Sequence, residues 1–274
     1  MNHGPIAITG ASGQVGTEVC RRLAESGHEV LALSRGMDWA SAIEDASVVL
    51  HLAGALRPRR GDTYESANLG TTEAVAAAVR SAGVGRVVFL SYVGADPASA
   101  NAYLRTKGLA ERALHEAGVP VTVFRCVHIF GPPEHPGPTA TPFIAGPRGR
   151  VTVPGDGRQL IAPLMLEDVV AAVVAAATRP QPLDGTFEIA GPETMSLDRL
   201  VRTLNRGEVA LRHVPAPILR LLARVSPALT PELVELLLQD NVPTRDPHET
   251  SAAFGFSLHT PAATWAREKG TAAA

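Results

Sequence analysis

The chain has 274 residues, of which 45% are hydrophobic and 19% are charged. This composition is typical of a globular protein and excludes intrinsic disorder. The 25 basic and 27 acidic residues give a formal net charge of -2, which excludes the strongly basic surface typical of nucleic-acid and membrane-surface binders. Two cysteines, Cys20 and Cys126, provide no disulfide framework and favour a reducing compartment.

The sequence predicts neither a membrane helix nor an export signal. The longest apolar run, residues 169–177, is shorter than the roughly 18 residues that a membrane helix needs. The opening residues, MNHGPIAITG, contain no basic stretch followed by a long apolar run. We therefore expect a soluble cytoplasmic protein, either a monomer or a homodimer, that binds neither nucleic acid nor membrane.

Short apolar strands alternate with helical segments through the first half of the chain. Strands are predicted at residues 5–9, 29–33, 47–52, 86–91 and 119–124, and helices at 14–26, 63–82 and 101–117. Gly27, Gly83 and Gly118 stand where each helix should end. This alternation predicts an α/β fold, with a Rossmann-like, doubly wound parallel sheet that helices cover on both faces.

The pattern changes after residue 130. The proline-rich residues 131–147 predict an irregular loop or lid, because proline cannot donate ladder hydrogen bonds. Further strands are predicted near 150–153 and 186–190, and helices near 166–178, 196–205, 215–224 and 231–239. In the third of these helices Ile218, Leu221 and Leu222 share a face. We expect that face to pack into a core, with a dimer surface as the alternative.

A glycine-rich turn, TGASGQVG at residues 9–16, joins the first predicted strand to the first helix. In a dinucleotide-binding turn, one glycine permits the tight turn, a second lets the backbone approach a pyrophosphate, and a third lets the helix pack on the sheet. The phosphates then bind at the helix N-terminus, where free N–H groups and the helix dipole attract anions. The alternative is an ordinary βα turn whose glycines serve packing alone. The predicted cofactor contacts are Gly10, Ser12, Gly13, Gln14 and Val15.

The end of the second strand indicates which dinucleotide binds. That strand ends Leu33-Ser34-Arg35, without an acidic residue. NAD-binding folds usually place Asp or Glu there, on the ribose 2′-OH, whereas an arginine accommodates the 2′-phosphate of NADP. We predict that Arg35 binds this phosphate and that NADP(H) is preferred over NAD(H). The alternative is a solvated surface arginine.

Further motifs follow in order along the chain. They are HLAG at 51–54, NLGT at 68–71, FLSYVGAD at 89–96, YLRTK at 103–107, RCVHIFGP at 125–132 and PLMLEDV at 163–169. With the glycine turn they resemble the short-chain dehydrogenase/reductase superfamily, specifically its atypical or extended NAD(P)H-binding members, which include NmrA-like proteins and a complex I accessory subunit. The resemblance covers residues 6–168. It implies that Leu52, Ala53 and Gly54 lie against the adenine ribose and pyrophosphate.

The resemblance also implies catalytic roles for Ser91, Tyr103 and Lys107. The Tyr103 hydroxyl would protonate a carbonyl oxygen during hydride transfer, and Ser91 would hold that oxygen. Lys107, one turn further along the same helical face, would favour the phenolate and hold the nicotinamide ribose. Cys126 occupies the place where the family often has proline, beside the nicotinamide. The alternative makes Tyr103 a core residue and Lys107 a solvated one.

These expectations define two regions and three functional hypotheses. Residues 1–130 would form the dinucleotide-binding domain, with 151–190 partly returning to it, and residues 131–150 and 191–274 a small substrate-capping lobe. Because the pocket that this lobe would cover should be mainly apolar, we expect an NADPH-dependent ketoreductase acting on a hydrophobic carbonyl compound. The alternatives are a non-catalytic NADP-binding sensor or assembly subunit, and an NAD-dependent sugar-nucleotide epimerase or dehydratase. No carboxylate–histidine spacing indicates a metal site.

Overall fold

The secondary structure alternates strands and helices along the chain. The computed structural model describes residues 4–58, 61–207, 209–226 and 229–266. The strands are β1 Ile6–Thr9, β2 Val30–Leu33, β3 Val48–His51, β4 Val87–Tyr92, β5 Val121–Cys126, β6 Ile129–Phe130, β7 Arg150–Pro154, β8 Leu160–Ile161, β9 Leu164–Met165, β10 Gly185–Ile189, β11 Met195–Ser196 and β12 Ala210–Val214. The helices are α1 Gln14–Glu25, α2 Trp39–Ala42, α3 Thr71–Ala82, α4 Ala102–His115, α5 Gly137–Ala140, α6 Leu166–Thr178, α7 Leu197–Leu204, α8 Ala216–Leu222, α9 Pro231–Leu238, α10 Pro247–Phe254 and α11 Pro261–Ala266. A π-helix, Glu65–Gly70, precedes α3, and a 3₁₀ turn, Thr141–Phe143, follows α5.

The chain divides into two compact units. The first consists of Met1–Arg125, Val170–Glu188 and Phe254–Phe256. The second consists of Cys126–Val169, Ile189–Ala253 and Ser257–Ala274. The substrate-capping role that we expect for residues 131–150 and 191–274 remains a prediction.

The central six-stranded sheet has the order β10-β5-β4-β3-β1-β2. Strand β1 pairs in parallel with β2 on one side and with β3 on the other, so that Thr9 lies opposite both Leu33 and His51. The strand order therefore reverses at β1. In open α/β sheets, ligands bind beyond the carboxyl ends of the strands at such a switch point. The predicted α/β, Rossmann-like fold is confirmed.

Helix α1 shows how the sequence specifies the packing of a helix on the central sheet. Its buried side chains, Val19 and Leu23, are spaced four residues apart and cover one face of the sheet. The chain leaves the helix at Gly27, whose φ of 80° lies in the left-handed region. The strand residues Ala7, Val49 and Phe89 are fully buried in an apolar cluster that includes Val75 and Val79 of α3.

The predicted helix at 63–82 is interrupted near its start. Residues Glu65–Gly70 form a π-helix, and the α-helix proper is Thr71–Ala82. A π-turn accommodates one extra residue per turn, so it shifts which side chains face inward, and such turns are frequent at functional sites. Here both Asn68 and Thr72 are almost fully buried.

The described residues of the second unit form three two-stranded pairings and an apolar core. Strands β7 and β12 pair in parallel, as do β6 and β9, whereas β8 and β11 are antiparallel. The proline-rich segment is less irregular than predicted, because it forms α5 and the 3₁₀ turn and buries Phe143. That ring packs in a cluster with Phe130 and Trp265.

The predicted burial of α8 is wrong. Ile218, Leu221 and Leu222 are 50%, 62% and 43% exposed, and Leu219 is the residue that packs inward, in a cluster with Val234. Helical periodicity marks an apolar face without showing that anything covers it. Within the described residues, no helix combines the length and the apolar character needed to cross a bilayer.

Candidate functional site

The glycine turn after β1 is shaped by close backbone contacts. Gly10 has a φ of 72°, and its carbonyl accepts a hydrogen bond of 2.9 Å from the Gly13 N–H. A Cβ added at Gly10 would lie 2.7 Å from the Ala53 nitrogen, and one added at Gly16 would overlap the Gly10 carbonyl. The turn therefore packs directly against the loop that follows β3. This is the geometry that the glycine spacing predicts.

The N-terminus of α1 presents donors suited to an anion. Gly13 is the N-cap, and no side chain caps the helix in the described structure; its first turn carries no acidic residue. Ser12 and Gly13 are exposed, and Gln14 and Val15 are half-buried. The side-chain nitrogen of Gln14, Nε2, is buried and has no hydrogen-bond partner among the described residues. These donors fit a pyrophosphate, because helix N-termini bind anions through free N–H groups and the dipole.

A directed chain of hydrogen bonds fastens this turn to the neighbouring elements. Because the Thr72 hydroxyl donates to the Asn68 carbonyl (2.7 Å), its oxygen accepts from His51 Nε2 (2.8 Å). His51 Nδ1 then accepts from the Thr9 hydroxyl (2.6 Å), which itself accepts from the Ala53 N–H (3.3 Å). The pattern assigns the neutral Nε2–H tautomer to His51.

Burial keeps His51 neutral. Loss of solvation, together with the nearby charge of Lys107, lowers the pKa of His51 to about 3. The ring is fully buried and stacks on Phe89, with the ring centroids 5.2 Å apart. The role of His51 is therefore to hold the strand ends in place, and it is unsuited to act as a base at neutral pH.

Asn68 was not predicted as a site residue, yet it organises the loop after β3. Its Oδ1 accepts from the Ala55 N–H at 2.8 Å, and its Nδ2 donates to the Ala55 carbonyl at 3.3 Å. A Cβ on Gly54 would lie 3.2 Å from Asn68 Oδ1 and 3.6 Å from Lys107 Nζ. Gly54 thus lets this loop lie beside the lysine. The available signal was the NLGT motif, but the π-turn that directs Asn68 inward is visible only in the structure.

Lys107 is held with its ammonium inside the first unit. The residue is 4% exposed; Nζ donates to the Leu90 carbonyl at 2.5 Å and lies 4.0 Å from the centre of the Phe89 ring. The carbonyl and the ring face are both favourable partners for a cation. The alternative of a solvated lysine is therefore wrong.

Tyr103 lies one turn before Lys107, near the beginning of α4. Asn101 caps that helix by accepting from the Tyr103 and Leu104 N–H groups. The Tyr103 ring is 9% exposed and packs edge-on against Tyr92 and Tyr64, with centroid distances of 5.4 and 6.0 Å. These three are all the tyrosines of the chain. A spectroscopic titration of tyrosine in this protein therefore reports on this cluster.

Ser91 makes a different contact from the one expected of it. Its hydroxyl donates to Glu111 Oε1, and the residue is 6% exposed. Glu111 also accepts from Arg125, through Nη2 at 2.6 Å and Nε at 3.0 Å. The Ser91 proton is thus directed to a carboxylate, and its role in holding a carbonyl oxygen stays a prediction. Glu111 was missed, although it lies four residues after Lys107 on the same helical face.

Arg35, the loop after β3 and Cys126 are the remaining predicted contacts. Arg35, beyond the end of β2, is 67% exposed in its side chain and forms an ion pair with Asp62 at 3.1 Å. Leu52, Ala53 and Gly54 follow β3 directly. Cys126, the last residue of β5, is 2% exposed, and its contact with the nicotinamide stays a prediction.

The second unit holds a carboxylate–histidine cluster that sequence spacing did not indicate. Asp168 is fully buried and accepts from both the backbone N–H and Nδ1 of His259, at 3.0 and 2.6 Å; Glu167 lies 3.6 Å from the same ring nitrogen. Burial raises the pKa of Asp168, and its contacts with His259 oppose this shift. Ligand atoms of the three residues lie within 4.8 Å of one another. The hydrogen bonds account for this proximity.

Comparison with known proteins yields a family and several relatives. Residues 6–190 match the sequence model of the NAD dependent epimerase/dehydratase family. A UDP-2-acetamido-2,6-beta-L-arabino-hexul-4-ose reductase of Pseudomonas aeruginosa is 34% identical over 135 residues, covering 46% of this chain and 36% of that protein. A 2-alkyl-3-oxoalkanoate reductase of Stenotrophomonas maltophilia is 28% identical, covering 61% of this chain and 63% of the relative.

A third relative, a mitochondrial protein, is named as a subunit and not as a reductase. The NADH dehydrogenase (ubiquinone) 1 alpha subcomplex subunit 9 of Arabidopsis thaliana is 26% identical, covering 72% of this chain and 56% of that protein. The matched regions thus span between 36% and 63% of the length of these three relatives.

Solved structures share the fold at low sequence identity. MoeE5 in complex with UDP-glucuronic acid and NAD superposes with a TM-score of 0.75 at 20% identity, covering 96% of this chain and 97% of the other. UDP-glucuronic acid 4-epimerase from Bacillus cereus gives a TM-score of 0.70 at 17% identity, covering 95% and 96%. Taken with the match over residues 6–190, the findings show that the chain belongs to the NAD dependent epimerase/dehydratase family, within the extended short-chain dehydrogenase/reductase superfamily.

Proposed function

We propose that the protein is an NADPH-dependent reductase that adds hydride to the carbonyl group of a hydrophobic small molecule, with Tyr103 as the proton donor. The observation that carries this proposal is the placement of Tyr103 and Lys107. They lie one turn apart on α4, and the buried ammonium stands 3.6 Å from the Cβ position of Gly54. The loop that we propose to contact the cofactor therefore lies beside the helix that carries the candidate acid.

The chain's own groups fit a bound dinucleotide. The N–H groups at Gln14 and Val15 would hold the pyrophosphate, and the loop of Leu52, Ala53 and Gly54 would lie against the ribose. The Gly13 N–H already donates to the Gly10 carbonyl at 2.9 Å, so Gly13 would shape the turn and would not donate to the phosphates through its own N–H. Arg35 would bind the 2′-phosphate, and Lys107 the nicotinamide ribose. The cofactor, when bound, supplies the hydride.

Tyr103 and Lys107 would act together on the substrate oxygen. As the carbonyl carbon accepts hydride, its oxygen gains negative charge and accepts the Tyr103 hydroxyl proton, so that the product is an alcohol. The phenolate that remains is stabilised by the positive charge of Lys107, which the Leu90 carbonyl and the Phe89 ring hold in place. Protons from solvent then restore the acid.

The names of two relatives support a hydrophobic carbonyl substrate. One is the 2-alkyl-3-oxoalkanoate reductase described above. The other is a ceramide reductase of Caulobacter vibrioides, which is 26% identical and covers 65% of this chain and 62% of the relative. Both are named as reductases, and both names include a molecule with alkyl chains.

The proposal is tested by supplying NADPH with a panel of long-chain 3-oxo acids, aliphatic ketones and aromatic ketones. We expect loss of NADPH absorbance with formation of an equal amount of alcohol for at least one member. Consumption of NADPH without alcohol would indicate uncoupled oxidation, and binding of NADPH without consumption by any member would contradict the proposal.

A second candidate is a sugar-nucleotide epimerase or dehydratase, favoured by the match of residues 6–190 to the NAD dependent epimerase/dehydratase family. The Pseudomonas aeruginosa relative is named for a UDP-sugar substrate, but it is itself named a reductase. Such reactions return the cofactor to its starting state, so they would convert a UDP-sugar without net consumption of NADPH. Mass spectrometry of the purified protein discriminates the two candidates. Co-purified NAD, together with conversion of a UDP-sugar, would favour the second.

A further inference from the structure

The arginine assigned to the 2′-phosphate has a carboxylate beside it. Arg35 Nη1 contacts both carboxylate oxygens of Asp62, at 3.1 and 3.4 Å. The arginine side chain is 67% exposed, but that of Asp62 is only 23% exposed. The carboxylate is therefore the more firmly enclosed partner, and the guanidinium is the one with more access to solvent.

The sheet register shows where this pair lies. Leu33 of β2 is paired with Thr9 of β1. Gly10 directly follows Thr9, and Arg35 comes two residues after Leu33. Both therefore lie just beyond the carboxyl ends of these neighbouring strands. Asp62 comes from the segment between β3 and the π-helix, and its contact with Arg35 places it at the same end of the sheet. The pair thus flanks the glycine turn on the β2 side, where Rossmann-like folds place the adenine ribose.

The two charged groups favour different cofactors. A guanidinium binds a phosphate through paired, charge-assisted hydrogen bonds. A carboxylate accepts hydrogen bonds from an unmodified ribose 2′-OH, and it repels a phosphate at the same position. Strand β2 provides no acid at its end. Asp62 provides one from elsewhere in the chain, which sequence position alone does not reveal.

We propose that Asp62 is a specificity-determining residue that opposes Arg35, so that the pair sets the ratio of NADP(H) to NAD(H) affinity. This inference rests on the proposed dinucleotide site. Asp62 weakens binding of the 2′-phosphate in two ways, by occupying the guanidinium and by direct repulsion. It also offers an acceptor to the free 2′-OH of NAD(H). A protein with this pair binds both dinucleotides, with a narrower preference than Arg35 alone would produce.

The size of the effect follows from the exposure of the pair. Ion pairs that solvent reaches contribute at most about 1 kcal/mol, which corresponds to a change of about fivefold in a binding constant. We therefore expect the Asp62→Asn substitution to increase the ratio Kd(NAD⁺)/Kd(NADP⁺) by about two- to fivefold. Because the interaction is screened, the increase should shrink as ionic strength rises.

Calorimetric titration of NADP⁺ and NAD⁺ into the wild type, Asp62→Asn and Arg35→Ala tests the proposal. Asp45→Asn is the matched control, because Asp45 is an exposed acid of the same unit without a place in the site. We expect Asp62→Asn to raise the affinity ratio, Arg35→Ala to lower it, and Asp45→Asn to leave it unchanged. Thermal unfolding of each variant verifies that it is folded, and Asp62→Ala provides a second removal of the charge.

The outcomes separate this inference from the proposed function. If both dinucleotides bind and neither Asp62 variant changes the affinity ratio by more than about 1.5-fold, the role of Asp62 is overturned while the dinucleotide site stands. If neither dinucleotide binds the folded wild type, the proposed function is contradicted, and so is this inference, because it rests on the same site. An increased ratio in both variants at low salt, and a smaller one at high salt, would support the assignment.

Discussion

Glu111 lies one helical turn after Lys107 on α4, and the two side chains contact consecutive residues of β4. Lys107 donates to the Leu90 carbonyl at 2.5 Å, while Glu111 accepts from the Ser91 hydroxyl. Glu111 extends the connection to β5 through Arg125, at 2.6 Å. The helix that carries Tyr103 is thereby joined by polar contacts to two central strands of the sheet.

We expect Glu111→Ala to destabilise the protein substantially. The substitution leaves the half-buried Arg125 without its bidentate partner and Ser91 without its acceptor, a loss of about 2–4 kcal/mol. Glu116→Ala is the control, since Glu116 lies on the same helical segment but is 69% exposed in its side chain, and it should cost less than about 0.5 kcal/mol. Urea unfolding measures both. Similar values for the two variants would contradict the structural role of Glu111.

Gly10 should tolerate no side chain. In Gly10→Ala the new Cβ would lie 2.7 Å from the Ala53 nitrogen, in a backbone conformation with a φ of 72°. We expect the variant to lose dinucleotide binding by at least about tenfold, because the turn and the loop after β3 must separate.

Gly27→Ala is the matched control for Gly10→Ala. Gly27 has a φ of 80°, and a Cβ there would meet nothing within 4 Å. It should cost about 1 kcal/mol of stability through backbone strain alone and leave binding unchanged. Equal loss of binding in both variants would show that strain, and not the contact with Ala53, is responsible.

The stability of the protein should fall as the pH drops below about 6.5. His51 has a pKa of about 3 in the folded protein, whereas an unfolded histidine titrates near 6.5. Above pH 6.5 both states are neutral and this residue adds no pH dependence. Between pH 6.5 and about 3 the unfolded state binds the extra proton, so the free energy of unfolding falls.

Replacing His51 should flatten that dependence. We expect the free energy of unfolding of His51→Gln to fall by about 1.5 kcal/mol less than that of the wild type between pH 6.5 and 5, although the variant is less stable at pH 7. His28→Gln, at an exposed position, is the control. Parallel pH profiles for wild type and His51→Gln would show that other groups, such as the buried His128, govern the acid response.

Local features of the site were predictable from the sequence, and long-range contacts were not. The glycine turn was predictable because its strand, turn and helix are consecutive, so residue spacing is enough to specify the conformation. The Ser91–Glu111 and Arg35–Asp62 contacts join residues 20 and 27 positions apart. Which side chains meet there depends on sheet register and loop path, which periodicity does not encode.

Two features of the structure differ from what helical periodicity predicted, for different physical reasons. The π-helix shifts the inward face by about one residue within a continuous helical pattern, so its effect on Asn68 and Thr72 was invisible. The apolar face of α8 has the spacing of a core helix, but burial depends on what lies opposite. Leu221 and Leu222 are exposed, so the periodicity was genuine and the inferred core packing was wrong.

The central claim, that Tyr103 donates the proton, is tested most directly by comparing Tyr103→Phe with Tyr92→Phe. The two tyrosines pack edge-on at 5.4 Å, so the variants remove equivalent hydroxyl groups from one cluster. With a substrate identified from the ketone panel, we expect Tyr103→Phe to lower kcat by about 10²–10⁴-fold while changing the Kd for NADPH by less than about threefold, and Tyr92→Phe to retain most of its turnover. Unchanged kcat in Tyr103→Phe, with NADPH still bound, would contradict the account.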